Sequence, residues 1–285
     1  MINLGEAKKI TFRILLENDI EDYQYEGLSL LSKILRLDIK TILTENEIVI
    51  SINQKKAIEK IIKKRIEGIP LAYLTKERLF FNERFCVNNK VLIPRQETEE
   101  LINYFFSIIE KDDIKNKRIL DIGTGSGIIP IICKKKFPEA NIFTIDKSID
   151  AINIAKKNAH KKELEINFIN SEIIKTNINE IDYVISNPPY IKTEMLSRLS
   201  DEVNYEPKLA LDGGKDGLSI IRDIFLWEKN TNKNNAKKIV IEIDQNITLE
   251  VIDLARYFYP KKRIEIIKDL SERDRIIAIT EKFTS

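Results

Sequence analysis

The spacing of apolar positions changes twice along this chain. Up to about residue 75 they recur at helical intervals. Ile10, Ile14 and Leu15 mark one segment, and Leu28, Leu31 and Leu35 another. The clearest contains Ile58, Ile61, Ile62 and Ile66, with Lys55, Lys56, Lys60, Lys63 and Lys64 mostly facing away. Gly68 supplies a stop and Pro70 prevents continuation. Residues 1–75 are therefore predicted to form a small helical bundle. Between 79 and 93 the period shortens. Leu79-Phe80-Phe81 and Phe85-Cys86-Val87 flank Asn82-Glu83-Arg84, which predicts a hairpin linker within 76–95.

From residue 96 to 285 short apolar runs alternate with helical patterns. Strands are expected near Ile119-Leu120, over Asn141 to Ile145, Ile166 to Ile169, Ile181 to Ser186 and Ile239 to Ile243. Helices are expected from Ile128 to Cys133, Ala151 to Ala159, after Leu218, and from Ile247 to Tyr257. Ile264 to Ile267 and Ile276 to Ile279 close as a strand pair. Such alternation implies an α/β fold around a mostly parallel, doubly wound sheet.

Composition narrows the class. Hydrophobic residues make up 43% of the 285 and charged residues 32%, enough for a sizeable core. Lys plus Arg number 47 and Asp plus Glu 45, a net charge of +2 that offers no broad basic footprint for nucleic acid. The runs Lys134-Lys135-Lys136 and Lys261-Lys262-Arg263 read as solvated helix ends and loops. Cys86 and Cys133 make neither a disulfide framework nor a metal-ligand spacing, so no metal is expected. The sequence shows no signal-peptide core and no membrane-length apolar run, which points to a cytoplasmic protein. His160 lies in a polar helix end and Trp227 reads as packing.

Two motifs carry chemistry. In Asp121-Ile122-Gly123-Thr124-Gly125-Ser126-Gly127 the glycines let the backbone turn sharply between strand and helix and approach a ligand. The spacing differs from the dinucleotide fingerprint, so a pyrophosphate is not the obvious guest. Asp121 suits a cationic amino group, and Asp146, ending the next strand, can accept from both hydroxyls of a ribose. Downstream lies Asn187-Pro188-Pro189-Tyr190. A conjugated NH2 is a poor nucleophile because its lone pair is delocalised. The Asn187 side-chain oxygen and the Pro188 carbonyl can accept its hydrogens, the prolines stiffen that backbone, and Tyr190 can lie against the planar group. Together the motifs point to methyl transfer from S-adenosylmethionine (SAM) to a conjugated nitrogen.

These residues resemble the HemK/PrmC protein-(glutamine-N5) methyltransferases over nearly the whole chain. The likeness extends to Gly68 through Leu74, Leu92-Ile93-Pro94-Arg95-Gln96-Glu97-Thr98-Glu99, Tyr205 through Gly214, Asp216-Gly217-Leu218, and Asp269 to Arg275. It implies a class I SAM-dependent methyltransferase fold, a Rossmann-like seven-stranded sheet, behind a helical domain that grips the substrate. It further implies that Asp121, Gly123 to Gly127, Asp146, Ile173 and Asn187 hold SAM. Asn187, Pro188, Pro189 and Tyr190 would line the pocket for the glutamine of a Gly-Gly-Gln loop in bacterial peptide chain release factors, with no nucleic acid or membrane partner, and the chain a monomer. The sequence departs from the family at Gln96, where Pro is usual, at Ser171-Glu172, at Ile173, an aromatic position in relatives, and at Asp244, where Gly is common. Three other readings stay open. They are a glutamine methyltransferase of another protein, a DNA amino-methyltransferase, which would flip its base, and a non-catalytic SAM-binding adaptor.

Overall fold

The structure, a computed structural model, describes residues 2–232 and 235–281. Its contacts divide into two compact units. One runs to Glu77 and takes in Ser200–Tyr205; the other comprises Arg78–Leu199 and the chain from Glu206 onward.

The first unit holds β1 (Ile2–Asn3), α1 (Leu4–Glu17), α2 (Tyr23–Leu35), α3 (Ile39–Thr44), β2 (Val49–Ile50), α4 (Ile52–Ile66) and α5 (Leu71–Thr75). Local chemistry sets the helix starts. Asn3 with Glu6 and Ser51 with Gln54 form reciprocal capping boxes at α1 and α4. Leu4, Leu15, Leu30, Leu31, Ile42 and Ile62 are buried together. Ile10 and Ile66, grouped with the apolar faces by spacing alone, remain 37% and 39% exposed. The unit is also not wholly helical, because Ile2 pairs with Ile50 across a two-residue antiparallel ladder. Later in the chain the short α9 (Asp201–Asn204) returns to this unit. Buried Arg65 grips Glu26 and Glu202 at once, and the Tyr205 hydroxyl donates to the Glu67 carbonyl at 2.9 Å.

The hairpin joins β3 (Glu77–Phe80) to β4 (Glu83–Cys86). Its turn is Phe81-Asn82, both at positive φ, rather than Asn82-Glu83-Arg84; a two-residue turn of that hand matches strand twist, so Glu83 and Arg84 enter the strand. Then follow α6 (Gln96–Ile109), β5 (Arg118–Ile122), α7 (Ile128–Lys136), β6 (Asn141–Asp146), α8 (Ile149–His160), β7 (Asn167–Asn170) and β8 (Tyr183–Ser186). After α9 come α10 (Ser219–Asn230), β9 (Lys238–Glu242), α11 (Thr248–Phe258), β10 (Arg263–Lys268) and β11 (Asp274–Thr280). The fourth strand begins at Tyr183, not Ile181, because the Asn232 side chain takes both the N–H and the carbonyl of Ile181.

Seven strands form one sheet in the order β10-β11-β9-β8-β5-β6-β7. The five from β9 to β7 run parallel, and β11 is antiparallel to both of its neighbours. Side chains alternate between two buried faces. Ile119 of β5 joins α6 and α7, whereas Leu120 joins α10 and α11. Trp227 is fully buried in the second cluster, a packing residue, and Cys133 is buried in the first.

Candidate active site

β5 and β8 are parallel neighbours with Ile122 level with Ser186. The sheet order reverses between them, with β6 and β7 lying beyond β5 and β9 beyond β8. Such a switch point opens a crevice at the carboxyl ends of the strands. The Gly-rich turn leaves β5 there, and Asn187-Pro188-Pro189-Tyr190 leaves β8. A cleft of about 430 Å³ occupies this position, lined by Gly123, Gly125, Asp146, Ile173, Asn187 and Pro189 among others.

The expected cofactor residues separate into those facing the cleft and those behind it. Gly125 holds φ at +52°, and the space in front of its Cα is open. Its N–H donates to Asp146 Oδ2 at 3.0 Å, while Asp146 Oδ1 accepts from the Ser148 N–H at 2.8 Å. Those bonds fix the carboxylate and leave each oxygen further acceptor capacity. Burial nevertheless holds its pKa above the ordinary value. Asp121 does not line the cleft. It is buried, and Oδ2 accepts from the Thr144 hydroxyl at 2.6 Å. Oδ1 has no well-formed donor, although the Thr124 hydroxyl lies near the carboxylate. Burial pushes this carboxyl up to about 7. An orphaned, fully buried acid at a strand end fits a cationic guest. Thr124, Ser126 and Gly127 also stay out of the lining and shape the turn. Gly127 caps α7 and donates to the Thr124 carbonyl, and the Ser126 carbonyl accepts from Asn158. Ile173 heads a short 3-10 turn, while Glu172 pairs with Lys175 at 2.8 Å.

The Asn-Pro-Pro-Tyr segment also divides. Asn187 and Pro189 line the cleft; Pro188 and Tyr190 do not. Asn187 Nδ2 donates to Thr98 Oγ1 at 2.9 Å, and Thr98 donates to Glu242 Oε2 at 2.9 Å. The Tyr190 hydroxyl donates to Glu242 Oε1 at 3.4 Å, and burial raises its pKa well above the usual phenol value. With Nδ2 committed to Thr98, Asn187 keeps Oδ1 as a free acceptor. Sequence reasoning missed Thr98 and Glu242 as site residues. The same rule that singled out Asp121, an acid ending a parallel strand, applies to Glu242 at the end of β9.

Within the second unit, segments around Ile93, Arg95 and Glu206 that carried the resemblance also meet at this centre. Glu206 is buried; it accepts from the Ile93 N–H at 2.9 Å and pairs with Arg95. Pro207 and Leu209 thereby join Lys90, Val91 and Leu92 in the cleft lining. A Cβ on Gly213 would lie 2.7 Å from the Tyr190 Cα, so only glycine permits this approach. Gln96 takes the first helical position of α6, where proline is favoured but not required. Asp244 caps the turn that follows it by accepting from the Asn246 N–H. Among the described residues no group of three or more His, Cys, Asp or Glu could hold a metal, and no helix is long and apolar enough to cross a membrane.

Known proteins resemble the chain in sequence and in fold. Residues 101–202 match the family described as "Methyltransferase small domain", and residues 6–75 match "PrmC N-terminal domain". The chain is 34% identical over 279 residues to a "Release factor glutamine methyltransferase" of Bacillus cereus, covering 95% of this chain and 97% of that one. It is 34% identical over 221 residues to a Staphylococcus aureus protein of the same name, covering 76% and 78%. The hMettl16 catalytic domain superposes with a TM-score of 0.56 at 13% identity, over 79% of this chain and 93% of that one, which is a likeness of fold.

Proposed function

The chain belongs to the release factor glutamine methyltransferase family, and we propose that it methylates the side-chain amide nitrogen of glutamine in the Gly-Gly-Gln motif of bacterial peptide chain release factors. The observation that carries this reading is the polarity of Asn187, a cleft-lining residue whose Nδ2 donates to Thr98, which leaves Oδ1 to accept. S-adenosylmethionine, when bound, supplies a methyl group on a sulfonium centre. Asp146 would hold its ribose hydroxyls and Ile173 would cover the adenine, while Asp121, buried behind the Gly-rich turn, would favour its cationic amino group through charge rather than direct contact. Asn187 Oδ1 and the Pro188 carbonyl accept the two hydrogens of the glutamine NH2 and draw its lone pair out of conjugation. Pro188 and Pro189 restrict the backbone carrying those acceptors. Tyr190, anchored through its hydroxyl, offers its ring to the planar amide. The N-terminal helical domain, residues 1–75, would grip the release factor, and the enzyme would act in the cytoplasm as a monomer.

A DNA amino-methyltransferase uses a similar tetrapeptide but needs a basic target-recognition surface, for which a net charge of +2 offers no support. Replacing Asn187 with Ala is expected to abolish release-factor methylation while calorimetry still detects SAM binding at reduced affinity. Undiminished turnover by N187A would overturn the mechanism.

A further inference from the structure

Glu242 does not line the cleft and, among the described residues, forms no direct ion pair, with Arg275 nearby but bonded to Asp269; yet it is 1% exposed at the end of a central strand. A buried carboxyl with no ion pair is costly, and an apolar residue there would serve packing better. Its contacts show what it does. An ionised carboxylate can only accept, and Glu242 receives the Thr98 hydroxyl on Oε2 and the Tyr190 hydroxyl on Oε1. Thr98 has a single proton. Once that proton is given to Glu242, Thr98 can offer Asn187 nothing but a lone pair, so it must face the Asn187 NH2. A flipped Asn187 would set its oxygen against a hydroxyl with no hydrogen left to donate.

Resting on the methyltransferase reading above, we propose that Glu242 is a positioning residue: by accepting from Thr98 and Tyr190 it fixes the Asn187 amide with Oδ1 toward the methyl-accepting nitrogen. Protonation would undo this. A neutral Glu242 can donate to Thr98, whose own proton is then released toward Asn187, and either amide orientation is satisfied. The groups facing Glu242 are Thr98 and Glu97 of α6, Tyr190 after β8, and Arg275 of β11, which is itself paired with Asp269. Burial outweighs Arg275 and Thr98 and pushes the Glu242 carboxyl up to about 7, so the loss falls near neutral pH.

The test uses the full chain with a release factor as substrate and reads kcat against pH, the SAM Kd, and the NMR signals of the Asn187 side-chain NH2. Wild type should lose kcat on the acid side of about pH 7, and the Asn187 signals should titrate with the same midpoint. Glu242→Ala should lower plateau kcat by roughly 10- to 100-fold with the SAM Kd within about twofold. Glu242→Gln keeps an acceptor for Thr98 without a titrating proton. It should restore most of the plateau and abolish both the acid limb and the NMR titration. Thr98→Val cuts the relay at its middle and should lower kcat as Glu242→Ala does, a check if the latter folds poorly. A pH-independent Asn187 signal in wild type, or equal damage in the Gln and Ala variants, overturns the proposal. Absence of methyl transfer by wild type, with Asn187 still titrating and Glu242→Gln silencing it, would refute the substrate reading and leave the relay standing.

Discussion

Asp121 and Asp146 end adjacent strands, but their surroundings fit them for different tasks. Asp146 is held by two backbone N–H groups and faces the cleft, which suits neutral hydroxyls. Asp121 is fully buried with one oxygen short of a donor, and its carboxyl is raised to about 7 from an ordinary value near 4. A raised acid adds stability that is complete below the ordinary value and is lost as pH climbs toward 7. A bound ammonium reverses the preference by favouring the carboxylate, so binding expels a proton wherever Asp121 was protonated. SAM affinity is therefore expected to rise between about pH 6 and pH 8, with proton release visible as a buffer-dependent binding enthalpy. Asp121→Asn should flatten that dependence; a flat profile in wild type would remove Asp121 from the amino-group role. Asp146→Ala should weaken SAM by about 10- to 100-fold, the worth of charge-assisted hydrogen bonds, and an unaltered Kd would refute the ribose assignment.

At the scale of elements, the site depends on segments that approach one another as backbone. Gly213→Ala would drive a methyl group into the backbone of Tyr190, 2.7 Å away. The expected outcome is a loss of about 1–3 kcal/mol in stability and at least tenfold in turnover, checked by thermal melts beside methylation assays. The sheet itself was legible because its strands are short runs rich in Ile, Leu and Val, bounded by turns and separated by helical spacing. The β1–β2 ladder was not, since two-residue strands carry no period. Nor was the Thr98–Glu242 bond, which joins positions 144 apart along the chain. The motifs announced Asn187 to Tyr190 and Gly123 to Gly127, but not which members face the cleft. That depends on side-chain direction at the strand ends, which composition does not record.

The described residues carry three hydrophobic clusters, one around Leu15, Leu31 and Ile62 and one on each face of the seven-stranded sheet. Hydrophobic spacing foretold a helical N-terminal region, but not that Ser200–Tyr205 would join it, because that attachment rests on Arg65–Glu202 and Tyr205–Glu67 rather than on any pattern. If the helical unit grips the release factor, deleting residues 1–75 should cut methylation of the intact factor by roughly 100-fold or more. SAM affinity is the control for an intact second unit, and full activity on the intact factor would refute the docking role. The central claim is tested most directly by transfer of labelled methyl from SAM to purified release factor, beside a Gly-Gly-Asn variant and duplex DNA. Label on the wild-type factor alone is expected and fixes substrate, residue and reaction together. Label on the Gly-Gly-Asn variant or on DNA, or on none of the three, would contradict the account.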